Sequence, residues 1–247
     1  MSMVRKFSGG GHIQTAIGNA YANSALTFVC YAKQNGDGTE WLNSYTAGGT
    51  KITMGIEGGV LKLYKAGASG GPSASSNWAL YVATKAAGTV KPLFYLYDFL
   101  LGEWVADGVE GSSTMSDGLG EAPEHVELGI WEEPGSEQFE GWMAADAIWK
   151  KVLSKAQVHE LVSLGSVEAW VALTPDAHWR FDEALPVDKT GGGANAIAVT
   201  NTELVELTIP FPYGEGEEPP AAVKVKSGGS VVSAKRWVKS GGILVPA

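Results

Sequence analysis

The sequence predicts an all-β chain, folded as a two-sheet antiparallel sandwich with one short helix. Runs rich in β-branched and aromatic residues recur at about 8–12-residue spacing, bounded by turn signals. Glycine is abundant, 33 of 247 residues, and scattered without a period. That excludes a collagen repeat and supplies many tight turns. The hydrophobic share of 45% is enough for a real core. The nine tryptophans each need a packed or bound environment. A chain of this length makes one large β domain or two small ones.

Taken in order, "SALTFVCYAKQ" is almost continuously apolar, as expected of a strand buried on both sides. Its Cys30 is the chain's one cysteine, so there is no internal disulfide, and it reads most simply as a small buried hydrophobe. "WLNSYTAGGTKITMGIEGGVLKLYKAG" holds three short runs separated by Gly-Gly turns. Within it Ile52, Met54 and Ile56 alternate with polar or small residues, while Val60, Leu61 and Leu63 do so less cleanly. "NWALYVATKAAGTVKPLFYLYDFLLGEWVADG" gives three more runs, with "KAAGTVK" separating Trp78–Thr84 from Pro92–Phe99. "SKAQVHELVSLG" breaks the pattern. Ser154 is placed as an N-cap, Val158, Leu161 and Val162 have helical spacing, and Gly165 stands where a helix-terminating glycine would. His159 reads as a solvated residue on that helix.

After a return to strands, "IPFPYGEGEEPP" is rich in Pro, Glu and Gly and reads as a linker. The expected organisation is a sandwich over 1–209, an extended arm over 210–220 and a basic β tail over 221–247. In the tail, "VKVKSGGSVV" and "RWVKSGGILV" share Val-Lys-Ser-Gly-Gly at a 13-residue offset. Two such strands around a turn predict a small β-hairpin. It must dock on something, since an isolated hairpin is marginal in water.

The net charge of −9 is unevenly spread. The tail carries Lys224, Lys226, Lys235, Arg236 and Lys239 and no acid, which leaves a formal −14 on the first 220 residues. Such a body repels phosphates, so direct nucleic-acid binding is not expected. The start does not read as a signal peptide and no apolar run is long enough to span a bilayer, so a reducing cytosol and no membrane insertion are expected.

Four segments, taken together, resemble the concanavalin A-like, laminin-G-type jelly roll. "VRKFSGGGHIQT" is similar to an early strand of that family, with a Phe ahead of a small-residue turn. "WALYVATKAAGTVKPLFYLYDF" is similar to its central hairpin. "HVELGIWEEPGSEQFEGWMAADAIWKKVLSKAQVHELV" is similar to its ending, where a strand with a mid-position acid, here Asp146, leads into a short helix. The likeness runs in order over about residues 4–163. "HWRFDEALPVDKTGGGANA" matches the family's opening strand and turn but lies after the helix. Either the order is circularly permuted or a truncated second copy begins there. Permutation is favoured because too few residues remain for another sandwich.

The acids of that last segment are most simply structural. Asp182 and Glu183 would end an edge strand, Asp188 would cap a glycine turn, and His178 would flank Trp179 at a strand start. The competing reading is a calcium site built from Asp182, Glu183 and Asp188, because hard cations want several oxygens on a flexible loop. Calcium binding near the ligand rim is what the family resemblance adds to that reading. The dense Asp/Asn alternation of a strong calcium motif is missing.

The same fold houses retaining glucanases, whose carboxylates alternate along one strand. No such strand is present. "GIWEEPGSE" has adjacent acids pointing opposite ways if extended. Nucleophile-elbow, metalloprotease, Cys-x-x-Cys and P-loop motifs are also missing, so catalysis is not expected. Recognition of a sugar remains open, since it needs an exposed aromatic with polar groups at its edge. The candidates are Trp41 with Asn43 and Tyr45, Trp104 with Asp107, and Trp131 with Glu132, each against the competing reading that the ring is in the core.

An acidic jelly roll with a Pro/Gly/Glu arm and a basic repeated end resembles bacteriophage virion surface proteins, minor tail or capsid decoration proteins. That resemblance implies a non-enzymatic structural role in the virion, with the tail docking on other virion proteins and the sandwich facing outward toward host glycan. Trp237, with Lys224, Lys226, Lys235, Arg236 and Lys239, would anchor the tail. A homo-oligomer would suit the symmetric positions of a particle. The alternatives are a calcium-dependent lectin module and, less favoured, a glucanase-like hydrolase. Fold by itself does not choose among them.

Overall fold

The computed structural model describes residues 2–16, 25–35, 39–47, 50–65, 68–116, 125–130, 138–207 and 209, and four short tail strands. Among the described residues thirteen strands precede the tail: β1 (Ser2–Ala16), β2 (Leu26–Gln34), β3 (Glu40–Ala47), β4 (Thr50–Glu57), β5 (Val60–Tyr64), β6 (Ala68–Ser73), β7 (Ala79–Lys85), β8 (Leu93–Asp98), β9 (Glu103–Glu110), β10 (His125–Leu128), β11 (Gly141–Trp149), β12 (Ala177–Arg180) and β13 (Ala196–Leu207). Between β11 and β12 lie helix α1 (Lys155–Ser163) and a 3-10 turn, Glu168–Leu173. Among the described residues no helix is long and apolar enough to cross a membrane.

The strands form an antiparallel jelly-roll sandwich. Hydrogen bonding runs continuously in the order β6-β5-β4-β3-β10-β1-β11-β2-β7-β8-β9, and β1 is where one layer passes into the other. Its C-terminal half pairs with β10 (Ile13↔Leu128) and its N-terminal half with β11 (Arg5↔Met143). Strand β13 follows β1 on its other side across both layers. The change of layer occurs at Ser8–Gly11, where four residues of β1 stand opposite one residue of β13, Asn201. Gly9 and Gly10 take φ of 54° and 92°, and a side chain at Gly11 would lie 2.6 Å from the Asn201 carbonyl. Strands turn sandwich corners by bulges of this kind, and only glycine fits the crossing.

The layers enclose one core. Ile52, Met54, Leu61 and Leu63 from the front (the β3–β6 side) meet Phe28, Cys30, Tyr81, Phe94 and Ile148 from the back. A second core lies behind the back sheet. There Val29, Tyr31, Leu80, Val82 and Trp149 are covered by Leu153, Val158, Leu161 and Trp170 of the helical segment. This is why the "ALTFVCYA" run is apolar at every position but Thr27, whose buried hydroxyl donates to the Lys151 carbonyl: both faces of β2 are packed.

Helix α1 begins as the sequence predicts. Ser154 caps it and forms a capping box with Gln157, and Gly165, at φ 78°, follows the C-cap Leu164. The segment after the helix completes this same sandwich and does not begin a second one: β12 pairs with β11 (Ala147↔His178) and β13 with β1.

The tail departs from the single hairpin expected. It contains two: β14 (Lys224–Ser227) with β15 (Ser230–Ser233), and β16 (Trp237–Ser240) with β17 (Ile243–Pro246). The Val-Lys-Ser part of each repeat lies in the first arm of its own hairpin, with Ser227 opposite Ser230 and Ser240 opposite Ile243. The arm 210–220 lies outside the described residues, as do Lys235, Arg236 and the side chains of Lys224, Lys226, Trp237 and Lys239.

Candidate functional site: the open half of the back sheet

Helix α1 covers only part of the outer face of the back sheet. On the rest, the registers Tyr31↔Leu80, Leu80↔Tyr97 and Tyr97↔Trp104 place one row of side chains across β2, β7, β8 and β9. The aromatics there form a chain. Trp78 lies 5.0 Å from Tyr31, Tyr31 4.8 Å from Phe99, Phe99 5.0 Å from Tyr97 and Tyr97 5.2 Å from Trp104, centroid to centroid. Trp78 and Tyr31 are buried, whereas Tyr97, Phe99, Trp104 and, on β11, Trp142 are half-buried. Next to Phe99 the β8–β9 turn exposes Leu100 and Leu101, at 73% and 60%. That turn is held in shape by Asp98, whose carboxylate accepts the Leu100 and Leu101 amides at 2.9 and 3.0 Å and is buttressed by Ser75 and Asn77.

Trp104 and Asp107 come together here, joined by a residue the sequence reading left in solvent. His159 stacks on the Trp104 ring at 4.7 Å and 14°. Its Nε2 meets Asp107 at 2.7 Å, and Lys155 reaches the other carboxylate oxygen at 2.6 Å. Desolvation pushes the Asp107 carboxyl up, but the donors Lys155 and His159 outweigh it and hold it below its ordinary value. The group pins α1 to the edge strand and fixes the Trp104 ring. His159 is 52 residues from Asp107, so local spacing carries no sign of the contact.

The other sugar-platform candidates separate. Trp41 is 2% exposed, lying on Gly55 and edge-on to Tyr64 at 4.7 Å, and Asn43 is fully buried. Neither can meet a ligand, because a bulge between Trp41 and Asn43 turns Asn43 into the core, where its Nδ2 donates to Asp146. Tyr45 is placed by its backbone alone, opposite Val126 and Ile52. Trp131 and Glu132 lie outside the described residues.

The three acids considered for calcium have other partners. Asp182 pairs with Arg180 and Glu183 with Lys189. Asp188 accepts from the His178 amide (3.1 Å), the Thr190 amide (3.0 Å) and hydroxyl (2.8 Å) and the Ala194 amide (3.2 Å). It organises the glycine turn as the sequence suggests. Among the described residues no group of three His, Cys, Asp or Glu side chains is placed to hold a metal ion. His178, expected merely to flank Trp179, is fully buried against Trp170 with both ring nitrogens lacking a hydrogen-bond partner among the described residues. Burial lowers its pKa to about 4.

No protein-family model and no curated protein matches the chain. Among solved structures, the chain is similar to a protein from Bacteroides ovatus to which carbohydrate binding has been ascribed. The TM-score is 0.56 and the identity 14%, over 85% of this chain and 61% of that one. It is also similar to laminin α1 domains LG4-5 from mouse (TM-score 0.47, 11% identity, 87% and 47% covered) and to a heptameric pentraxin from Limulus polyphemus (TM-score 0.45, 17% identity, 65% and 81% covered). At these identities the likeness is one of fold, and the fold is an antiparallel, lectin-like jelly roll.

Proposed function

We propose that the sandwich is a non-catalytic carbohydrate-binding module and that the open aromatic half of the back sheet faces the sugar. The observation that carries this reading is the group of half-buried rings, Tyr97, Phe99, Trp104 and Trp142, on a sheet face otherwise sealed by α1. Apolar faces of sugar rings stack on aromatics, and an acid at the rim, Asp107, accepts hydroxyls. Leu100 and Leu101 extend the same apolar surface. Carbohydrate binding ascribed to the Bacteroides ovatus protein agrees with the reading. The test is retention of the full chain on an array of neutral and charged glycans. Wild type should be retained, and Tyr97→Ala with Trp104→Ala should lose most of the signal while the chain stays folded, at a melting temperature lowered by the lost packing. Retention unaffected by both substitutions, or no retention, rejects it.

A second reading concerns where the module works. We propose that the chain is a structural component of a bacteriophage particle, held there through its tail. The tail's two hairpins motivate this, since two-stranded pieces need a docking surface to be stable. Solution mass of the full chain against one ending at Thr208 tests it. Self-association of the full chain alone supports an assembly tail, and two monomers reject it.

A further inference from the structure

We infer that Trp142, between Lys6 and Lys33, is a binding site for an acidic sugar, one bearing a carboxylate or sulfate. The inference rests on the carbohydrate-binding reading and narrows its ligand class. The registers Lys6↔Trp142 and Trp142↔Lys33 place the three residues side by side on β1, β11 and β2. Directly opposed residues share a sheet face, and here it is the outer one, because Trp142 packs against the second core. All three are half-buried. Lys33 Nζ lies over the indole, 5.6 Å from its centroid.

These lysines differ from their neighbours. Lys62, Lys91, Lys150, Lys155 and Lys189 are each engaged by a carboxylate. Among the described residues Lys6 and Lys33 form no ion pair. Glu203 ends the row beside Lys6 but is exposed and does not pair with it. An unneutralised ammonium, that of Lys33, thus lies over the indole, and a second unneutralised lysine, Lys6, stands opposite Trp142 in register, on a body whose first 220 residues carry a formal −14. Diffuse attraction of anions by that body is excluded, so anion binding must be local. A sugar carboxylate or sulfate brought to Trp142 would meet the Lys33 ammonium that lies over the ring, with Lys6 next along the row, forming charge-assisted hydrogen bonds. A neutral sugar stacked on the same ring would gain neither.

The test uses the full chain and paired probes: oligogalacturonate against its methyl ester, and sialyl- and sulfo-lactose against lactose. Wild type should prefer at least one acid over its neutral partner by about tenfold or more, with the preference weakening as salt rises. Lys6→Gln with Lys33→Gln should abolish the preference while leaving neutral binding and melting temperature unchanged. Trp142→Ala should weaken binding of both members of the pair. Neutral glycans bound without any acidic preference, or a preference that survives the double substitution, overturn this inference and leave the carbohydrate reading standing. Retention of no glycan of either kind overturns both.

Discussion

Asn43 of the front sheet donates to both carboxyl oxygens of Asp146 on the back sheet, at 3.2 and 3.0 Å, across the middle of the sandwich. Both side chains are fully buried. Cys30, opposite Asp146 on β2, also hydrogen-bonds to it. Burial pushes the Asp146 carboxyl well above the usual range, against the opposing pull of Asn43 and Cys30, and pushes the Cys30 thiol up as well. Burial of the bridge thus disfavours the charged form of this acid.

The upward shift has a sign for stability. An acid with a raised folded pKa binds more protons folded than unfolded, so its contribution to stability is fullest below the unfolded value, about 3.9. It declines as pH rises toward the folded value. Asp146→Asn removes the titration. Urea midpoints at about pH 5 and about pH 8 should show the variant gaining on wild type at the higher pH. Parallel profiles would reject the upward shift of Asp146.

His178 works in the opposite direction. With a folded pKa of about 4 against an ordinary 6.5, it binds fewer protons folded than unfolded. Its contribution is complete above pH 6.5 and is lost as pH falls toward 4, an acid destabilisation of roughly 3 kcal/mol. His178→Leu should flatten the acid limb of the stability profile over that window while costing little at pH 7. An acid limb unchanged in the variant would place the titrating group elsewhere.

Gly55 lies directly beneath Trp41. A Cβ there would sit 2.3 Å from the indole Cε3. Gly55→Ala should cost about 1–3 kcal/mol through overpacking and shift tryptophan emission as Trp41 is displaced. An alanine accepted with no change in midpoint or emission would contradict the packing.

Asp188 accepts four donors from the loop between β12 and β13. Asp188→Ala leaves those groups without an acceptor and should cost about 2 kcal/mol or more. The same occupancy predicts that calcium or a chelator leaves the melting temperature unchanged. A rise with calcium that vanishes in Asp188→Ala would restore the calcium reading.

The sequence by itself determined the strands, the one capped helix, the doubly packed run of β2 and the structural part played by Asp188, because periodicity, caps and Asx turns are written in neighbouring residues. It could not tell Trp41 from Trp104, since each opens a polar-flanked run. Which ring is sealed and which stays half-open depends on what crosses above it: Tyr64 and Gly55 in one case, the edge of α1 in the other. Nor could it bring Asn43 to Asp146, His159 to Asp107 or Lys6 to Lys33. Pattern along one strand says which residues share a face. Only register between strands far apart in the chain decides which faces meet and which side chains become neighbours.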